Sequence, residues 1–563
     1  MAKLPTKNIF ASETADFFRG IDRTDSIGKL SDAYDMANIR IMPDGSMVRR
    51  DGYSTFMGFP STIRCVAACP TDPDFVFVLS GETLYSVKLS TNTRIELSTG
   101  FNTYAPAFFF RIHDLVYLFC EGLYGLVPDE IITKNGYVPL VGKNWGADGG
   151  PVYEQQNMLA FNIRIDYLLD RDTNCLFTGY DISAVDAVYV NGEAVKGSYI
   201  ERQNVCLPAV FPAGTRILLC LSLSLSQIYD VLSLMACSAG YSCGYKNNSV
   251  AILYGGEEPG RLFFLSHIDP EKVAQSQVYY SDSGDIYCPA TPTHVKDMIG
   301  GVRAICGEPD CLIVAGQYET RRLTPDGDMP ILGMEGCSSP SSMAYFDEIA
   351  YIATPEGIWR LPLRSGKGKI ISTPLGDLME QDNLSKVILY YNVHQDELWV
   401  RDPSSHSHAV YIYDPVREIW TSFFNIPALG FFDLKADRAP GFWSEIQLMK
   451  FEDGQDYDVP PGGQRFSIPT YYMSRWTCLG NPDEPKRLRR VKLARTGQSQ
   501  VIVSVTDKAG DVCVHTFAKG NSSKPIFSDE AIRSGRTDMF QAVLISNDQA
   551  PLQIHEFSLS AIK

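Results

Sequence analysis

A weak internal period constrains this chain more than any other feature. Several segments share one plan: an apolar strand, a tight turn with Gly or Asp, and a second strand rich in aromatics. They read FVFVLSGETLYSVKL from Phe75, LVYLFCEGLYGLV from Leu115, CLIVAGQYETRRLTP from Cys311, IAYIATPEGIWRLPL from Ile349 and ELWVRDPSSHSHAVYIYDP from Glu397. Looser copies are GRLFFLSHIDP from Gly260 and SEIQLMKFEDGQDYD from Ser444. The last apolar residues before each turn are Leu79, Phe119, Leu265, Val314, Ile352, Val400 and Met449, giving steps of 40, 146, 49, 38, 48 and 49. All but the second fit the roughly 40–50-residue repeat of a propeller blade, a small four-stranded sheet. The expectation is an all-β chain built on a β-propeller of about seven blades, with six or eight also compatible.

The long step holds one blade and about a hundred further residues. Within it, AVDAVYVNGEAVKGSYI from Ala184 alternates apolar and polar positions around Asn191-Gly192, the strongest short hairpin signal. The sequence therefore predicts an inserted β domain. After about Val459, SQVIVSVTDKAGDVCVHTF and MFQAVLISN alternate again and predict a C-terminal sandwich-like β domain. The expected division is an N-terminal arm and hairpin over 1–60, two blades over 61–144, the insertion over 145–235, the remaining blades over 236–458 and the C-terminal domain over 459–563. Helical periodicity is confined to two short candidates, 226–237 and 376–386.

Charge narrows function. With 66 acidic against 50 basic residues the formal net charge is −16, which disfavours a protein that grips nucleic acid, unless through a local basic face. One basic cluster stands out: Lys486, Arg487, Arg489, Arg490 and Lys492, interrupted by Leu488 and Val491. If this is a strand with a solvent face of Arg487, Arg489 and Val491, or the complement, charge falls on both faces. At least one face must then meet solvent or carboxylates. A subunit or domain interface is the expected role, with contact to DNA the alternative.

Other chemistry has simpler explanations. His406 and His408 flank Ser407 at the tip of a hairpin, with no third ligand at a supporting distance. SDSGDIY from Ser281 resembles the Asp-box turn of sialidase-like propellers but lacks its second Asp, and Tyr287 replaces the usual Trp. The 14 Cys lie singly, with no CxxC pair, and are read as reduced, mostly buried thiols; Cys65 and Cys69 share a strand face. No phosphate loop, HExxH or nucleophile elbow is present. The expectation is a non-enzyme without metal or cofactor. The start MAKLPTKNIFASE lacks the apolar core of a signal peptide, and Ile217 to Met235 is interrupted by Ser222, Ser224, Ser226, Gln227 and Asp230. That segment reads as a half-buried strand rather than a membrane span.

MANIRIMPDGSMVRRDGYSTF, Met36 to Phe56, resembles the opening of the packaged-DNA stabilisation, nozzle and tail-hub proteins of short-tailed bacteriophages. In those, an Asn-containing strand, a tight turn and an Arg-x-Gly element lead into the first blade; here Asp44-Gly45 makes the turn and Arg49-Arg50-Asp51-Gly52 follows. YEQQNMLAFNIRIDY from Tyr153 is similar to their linker into an inserted domain. Leu262 to Pro270, Gly336 to Leu361 and Asp396 to Thr421 are similar to successive blades, and Pro485 to Thr496 is a fainter match. The resemblance implies a virion tail protein assembled in the host bacterial cytoplasm. It implies a homo-oligomeric ring, commonly a hexamer, beneath the portal and adaptor and above distal tail proteins. Such a ring continues the DNA channel, touches passing DNA transiently and retains the genome until ejection. No catalytic residue carries over. The alternatives are a carbohydrate-binding or carbohydrate-cleaving propeller at the tail tip, and a cellular adaptor propeller. The adaptor reading lacks regular WD or kelch signatures, since Gly255-Gly256 is an isolated pair.

Overall fold

The structure, a computed structural model, describes residues 10–562 except 155–161, 224–241, 244–250, 254–260, 266–275, 281–294 and other stretches of one to six residues. Its seven four-stranded blades follow from short alternating apolar runs separated by turns. Blade 1 comprises Ile63–Ala68, Phe75–Ser80, Thr83–Lys88 and Thr93–Thr99. Blade 2 runs from Phe108–Ile112 to Glu130–Lys134, and blade 3 from Ala251–Leu253 to Val295–Met298. Blades 4, 5 and 6 begin at Val302–Glu308, Met343–Phe346 and Ile388–Asn392. Each is an antiparallel meander. The first strands of blades 3, 4, 5, 6, 7, 1 and 2 lie against one another in that order. A two-residue strand, Ser242–Cys243, runs parallel to the first strand of blade 1 on its axis side and touches the first strands of blades 2 and 7.

Blade 7 closes the ring with a strand from the other end of the propeller sequence. Gly430–Leu434, Ala439–Trp443 and Gln447–Glu452 are completed by Gly52–Gly58, which pairs antiparallel with the third of them. Sharing one sheet between the two ends of the ring leaves no open seam between first and last blades. The expected division placed this strand in an N-terminal arm; the pairing puts it in the propeller. Met449 also lies in the third strand of its blade, whereas Leu79, Val314, Ile352 and Val400 lie in second strands. The second strand of blade 7, APGFW, carries Pro440 and Gly441, so it lacks the apolar run that marks the other copies.

Between blades 2 and 3 stands the inserted domain. A five-stranded sheet, ordered Leu140–Trp145, Asn162–Leu168, Arg216–Leu223, Ile182–Val190 and Glu193–Val195, faces a three-stranded one of Thr173–Phe177, Asn204–Phe211 and Tyr199–Glu201. They enclose a core of their own, with Trp145, Ile163, Ile165, Tyr167, Leu176, Val205 and Leu219. Asn191 and Gly192 both take positive φ, 48° and 91°, at the turn joining Val190 to Glu193, as a type I′ hairpin requires. Arg216–Leu223 alternates partly exposed and buried positions, as expected of the half-buried strand read over Ile217 to Met235, the rest of which lies outside the described residues. Of the two candidate helices, 226–237 lies outside the described residues, and 376–386 overlaps the end of the 3-10 turns of Thr373–Leu378, with 380–383 and 385–386 outside the described residues.

The C-terminal sandwich is built from both ends of the chain. One sheet orders Ile39–Ile41, Met47–Arg49, Leu552–Ile562, Arg487–Gly497 and Ser522–Ala531, with Phe10–Ala15 also on Leu552–Ile562. The other orders Ala33–Ala37, Thr470–Ser474, Phe540–Ser546, Val501–Asp507 and Val512–Phe517. The N-terminal segment is thus a structural part of this domain rather than a free arm. Its core of Leu488, Val491, Val503, Leu544, Phe557 and Leu559 continues without a break through Ile21 and Met36 to Tyr413 and Trp420 of blade 6. Sandwich and ring share one apolar core.

Candidate functional site: a basic strand and a buried arginine joint

The basic cluster opens the strand Arg487–Gly497. A β-bulge between Leu488 and Arg490 sets two residues of this strand against one of Leu552–Ile562. The bulge resolves the excess of charge. Leu488 and Val491 both turn into the core, Arg487, Arg490 and Lys492 face solvent, and Arg489 is half-buried at the bulge. Strict alternation offers Arg487, Arg489 and Val491, or the complement, as the solvent face; the bulge shifts the alternation by one residue, so neither set holds and Leu488 and Val491 are both buried.

Lys486 stands apart. It is fully buried, its backbone exchanges hydrogen bonds with Thr537 at 2.6 and 2.9 Å, and its Nζ donates to the carbonyls of Glu484, at 2.9 Å, and Asn481. These carbonyls hold the ammonium inside the domain and withdraw Lys486 from any docking surface. Arg490 pairs with Asp529 at 3.1 Å, and Lys492 approaches the same carboxylate at 3.9 Å from the directly opposed position. All three side chains are about half exposed, so each pair contributes about 0–1 kcal/mol. Among the described residues, neither Arg487 nor Arg489 has an acidic partner within ion-pair distance. One carboxylate against four cations leaves an exposed positive row on an acidic chain.

Arg49-Arg50-Asp51-Gly52 carries part of the family resemblance, but its sequence shows no role beyond following a turn. The structure makes it the joint between ring and sandwich. Arg50, buried, donates Nη1 and Nη2 to the two oxygens of buried Asp458 at 2.9 and 2.7 Å, and Nε to Asn38 at 2.8 Å. Asn38 also accepts the Phe424 amide at 2.7 Å and donates to the Pro469 carbonyl at 2.7 Å. Asn38 has φ 56°, a left-handed conformation that Asn tolerates better than most side chains. Arg49, equally buried, donates to the carbonyls of Asp548 and Ala550 at 2.7 and 2.5 Å and to Ser546 at 2.9 Å. Burial pushes its guanidinium down from the usual range, opposed by the nearby Asp548 carboxylate. Gly52 follows because nothing larger fits: a Cβ there would lie 2.6 Å from the Tyr457 carbonyl carbon and closer still to its oxygen. Burial pushes the neighbouring Tyr53 phenol up to about 12, with Asp458 adding to the effect.

His408 takes φ 49° at its hairpin tip, and its Nδ1 lies 3.1 Å from Arg401 Nη2. Burial, then the charge of Arg401, lowers its pKa, which favours the neutral ring that can accept from Arg401. Among the described residues no group of three or more His, Cys, Asp or Glu is placed to hold a metal. The Asp-box-like turn from Ser281 lies outside the described residues. Cys65 and Cys69 are buried in one cluster beneath blades 1 and 2, as their spacing predicted. Among the described residues no helix is long and apolar enough to cross a membrane.

Comparison with known proteins returns neither a matching family model nor a matching curated protein. Solved structures do match. The structure of U3-55K shares 9% identity at a TM-score of 0.30, covering 71% of this chain and 98% of that one. The WD40 repeats of RRP9 share 8% identity at a TM-score of 0.31, covering 72% and 99%. The AfRom2 CNH domain shares 7% identity at 0.33, covering 71% and 99%. Likeness at this level assigns no function; the propeller is read from the seven sheets themselves.

Proposed function

We propose that the chain is a non-enzymatic structural subunit of a short-tailed phage tail, one copy in a nozzle or hub ring below the portal and adaptor. The observation that carries this reading is the joint. The Met36–Phe56 segment that resembles the family's opening supplies Asn38, Arg50 and Gly52, the residues that lock both chain ends to the propeller. An inserted domain between blades 2 and 3, where the resemblance expects one, supports it further. In this reading the lumen for DNA is the space between subunits rather than the centre of one propeller, which agrees with the Ser242–Cys243 strand lying on the axis side of the first blade.

Charge supports the same arrangement. Cations that grip phosphate retard sliding DNA, so a channel wall is best kept acidic and the bases kept at seams. In this reading Arg487, Arg489, Arg490 and Lys492 dock an acidic surface of a neighbouring subunit or tail protein, away from the lumen. Imaging of the virion is expected to place six copies around the tail axis. A single copy, or attachment remote from the axis, overturns the reading.

The double variant Arg489→Glu/Arg490→Glu tests the seam. The only ion pair it removes among the described residues is the exposed one with Asp529, so the isolated chain should keep its stability to within about 1 kcal/mol. Ring assembly, followed by sedimentation with the adaptor present, should fall at least tenfold. Normal assembly combined with altered DNA retention would instead move the row into the lumen.

A further inference from the structure

We propose that Cys175 and Cys206 of the inserted domain are a cross-strand disulfide site, closed by thiol–disulfide exchange. The inference is independent of the tail reading. The two residues are directly opposed in the antiparallel pair of Thr173–Phe177 with Asn204–Phe211, and their sulfurs are 3.8 Å apart. Directly opposed residues in an antiparallel pair have Cα atoms about 4.5–5.5 Å apart, inside the range that a disulfide spans. Bond formation needs only that the sulfurs close to about 2.0 Å, a side-chain rotation rather than a backbone shift. The register shift between Thr173 and Cys175 places a bulge beside the pair, where the backbone can absorb small adjustments.

Access is asymmetric in a useful way. Cys175 is partly exposed and Cys206 is buried, so a soluble disulfide meets Cys175 first. Its thiolate attacks one sulfur of the oxidant, for which oxidised glutathione serves as the probe, and expels one glutathione thiolate. Cys206, whose thiol donates to the Glu201 carboxylate at 3.8 Å, then loses its proton to solvent and attacks the Cys175 sulfur, expelling the second glutathione. Two protons and two electrons leave the cysteine pair, and one oxidised glutathione becomes two reduced ones. Burial, followed by the hydrogen bond with Cys206, raises the Cys175 thiol above its usual range, so the first step should accelerate with rising pH.

The pair also lies where a bond would matter. Leu176 and Val205, next to the two cysteines, are fully buried in the core under the five-stranded sheet. A bond there would tie the two strands that hold the smaller sheet over that core.

The test uses the full chain, oxidised glutathione at pH 8, alkylation of remaining thiols and peptide mapping without reduction. A linked peptide pair containing Cys175 and Cys206 is expected, together with a rise on the order of 5 °C in the midpoint of one unfolding transition. Cys206→Ser should abolish the link and leave Cys175 as a mixed disulfide with glutathione. Cys175→Ser should leave Cys206 unmodified. Cys175 persisting as the mixed disulfide while Cys206 stays reduced in the unsubstituted chain overturns the proposal. So does a chain in which half-exposed Cys478 and Cys513 react while the pair remains two free thiols.

Discussion

Replacing Arg50 with Met should destabilise the chain by about 3–5 kcal/mol, although the substitution keeps side-chain length and touches no exposed surface. The reason is what remains behind. Asp458 is buried and takes both guanidinium nitrogens of Arg50; without them its carboxylate keeps, among the described residues, only the Tyr53 amide, at 3.2 Å. Asn38 loses the Nε donor, and the carbonyl of Phe424 loses its contact at 3.3 Å. Burying a charge without a partner costs far more than the pair contributes when intact, so the single variant overstates the value of the bridge. A cycle separates the two. Arg50→Met/Asp458→Leu removes both charges and should recover most of the loss, since buried ion pairs replaced by apolar residues are often close to neutral. Equilibrium unfolding in urea measures each variant. A single-variant loss under about 1 kcal/mol would mean that water reaches Asp458 and that the joint is held by the backbone alone.

Legibility in the sequence followed the range of the interactions. The second strands of blades 1, 4, 5 and 6 announce themselves because each is an apolar run ended by its own turn, a property of about ten consecutive residues. The insertion was visible for the same reason, through Asn191-Gly192 and the alternation of Arg216–Leu223. Pairings between distant segments left no local trace. Gly52–Gly58 reads as an ordinary strand, and nothing in GYSTFMG says that its partner lies almost four hundred residues away in Gln447–Glu452. The sandwich was expected from the C-terminal strands alone, since Ala33–Ala37 and Met47–Arg49 give no sign that they cross to it. In the basic cluster the residue types were legible but the bulge was not. A single extra residue decided that Val491 is core and Arg490 is surface, and only the pairing with Leu552–Ile562 fixes where it falls. Lys486 reads from the sequence as charge offered to a partner, because burial of a lysine under carbonyls has no sequence signature.

The coupling between ring and sandwich leads to the second large effect, at Trp420. This residue lies in Ile419–Phe423, the outermost strand of blade 6, a position that would ordinarily face solvent, yet the indole is completely buried. The N-terminal segment covers it. Ile21 donates its amide to the Trp420 carbonyl at 2.7 Å, Asn38 donates to the Ser422 carbonyl at 2.8 Å, and the Ser422 hydroxyl donates to the Met36 carbonyl. Inside, the indole Nε1 donates to the Ile371 carbonyl at 2.6 Å, and its ring lies 5.0 Å from that of Tyr413, the directly opposed residue. Gly20 gives the approach its closeness: a Cβ there would lie 2.7 Å from the Trp420 amide nitrogen. Trp420→Ala removes the indole at the meeting point of ring, N-terminal segment and sandwich, opens a cavity and leaves the Ile371 carbonyl unpaired. The expected cost is about 3–5 kcal/mol. Its distribution is the more informative reading, because a shared core makes the sandwich unfold with the ring. With the indole gone, urea unfolding should split into two transitions, and limited proteolysis should cut first between Gly20 and Lys29, where the cover loosens. Trp420→Phe, which keeps most of the apolar volume and loses the Ile371 hydrogen bond, should cost less and remain a single transition. An unsplit transition for Trp420→Ala, with cleavage no faster than in the unsubstituted chain, would mean that the backbone bonds from Ile21 and Asn38 suffice to hold the two domains together.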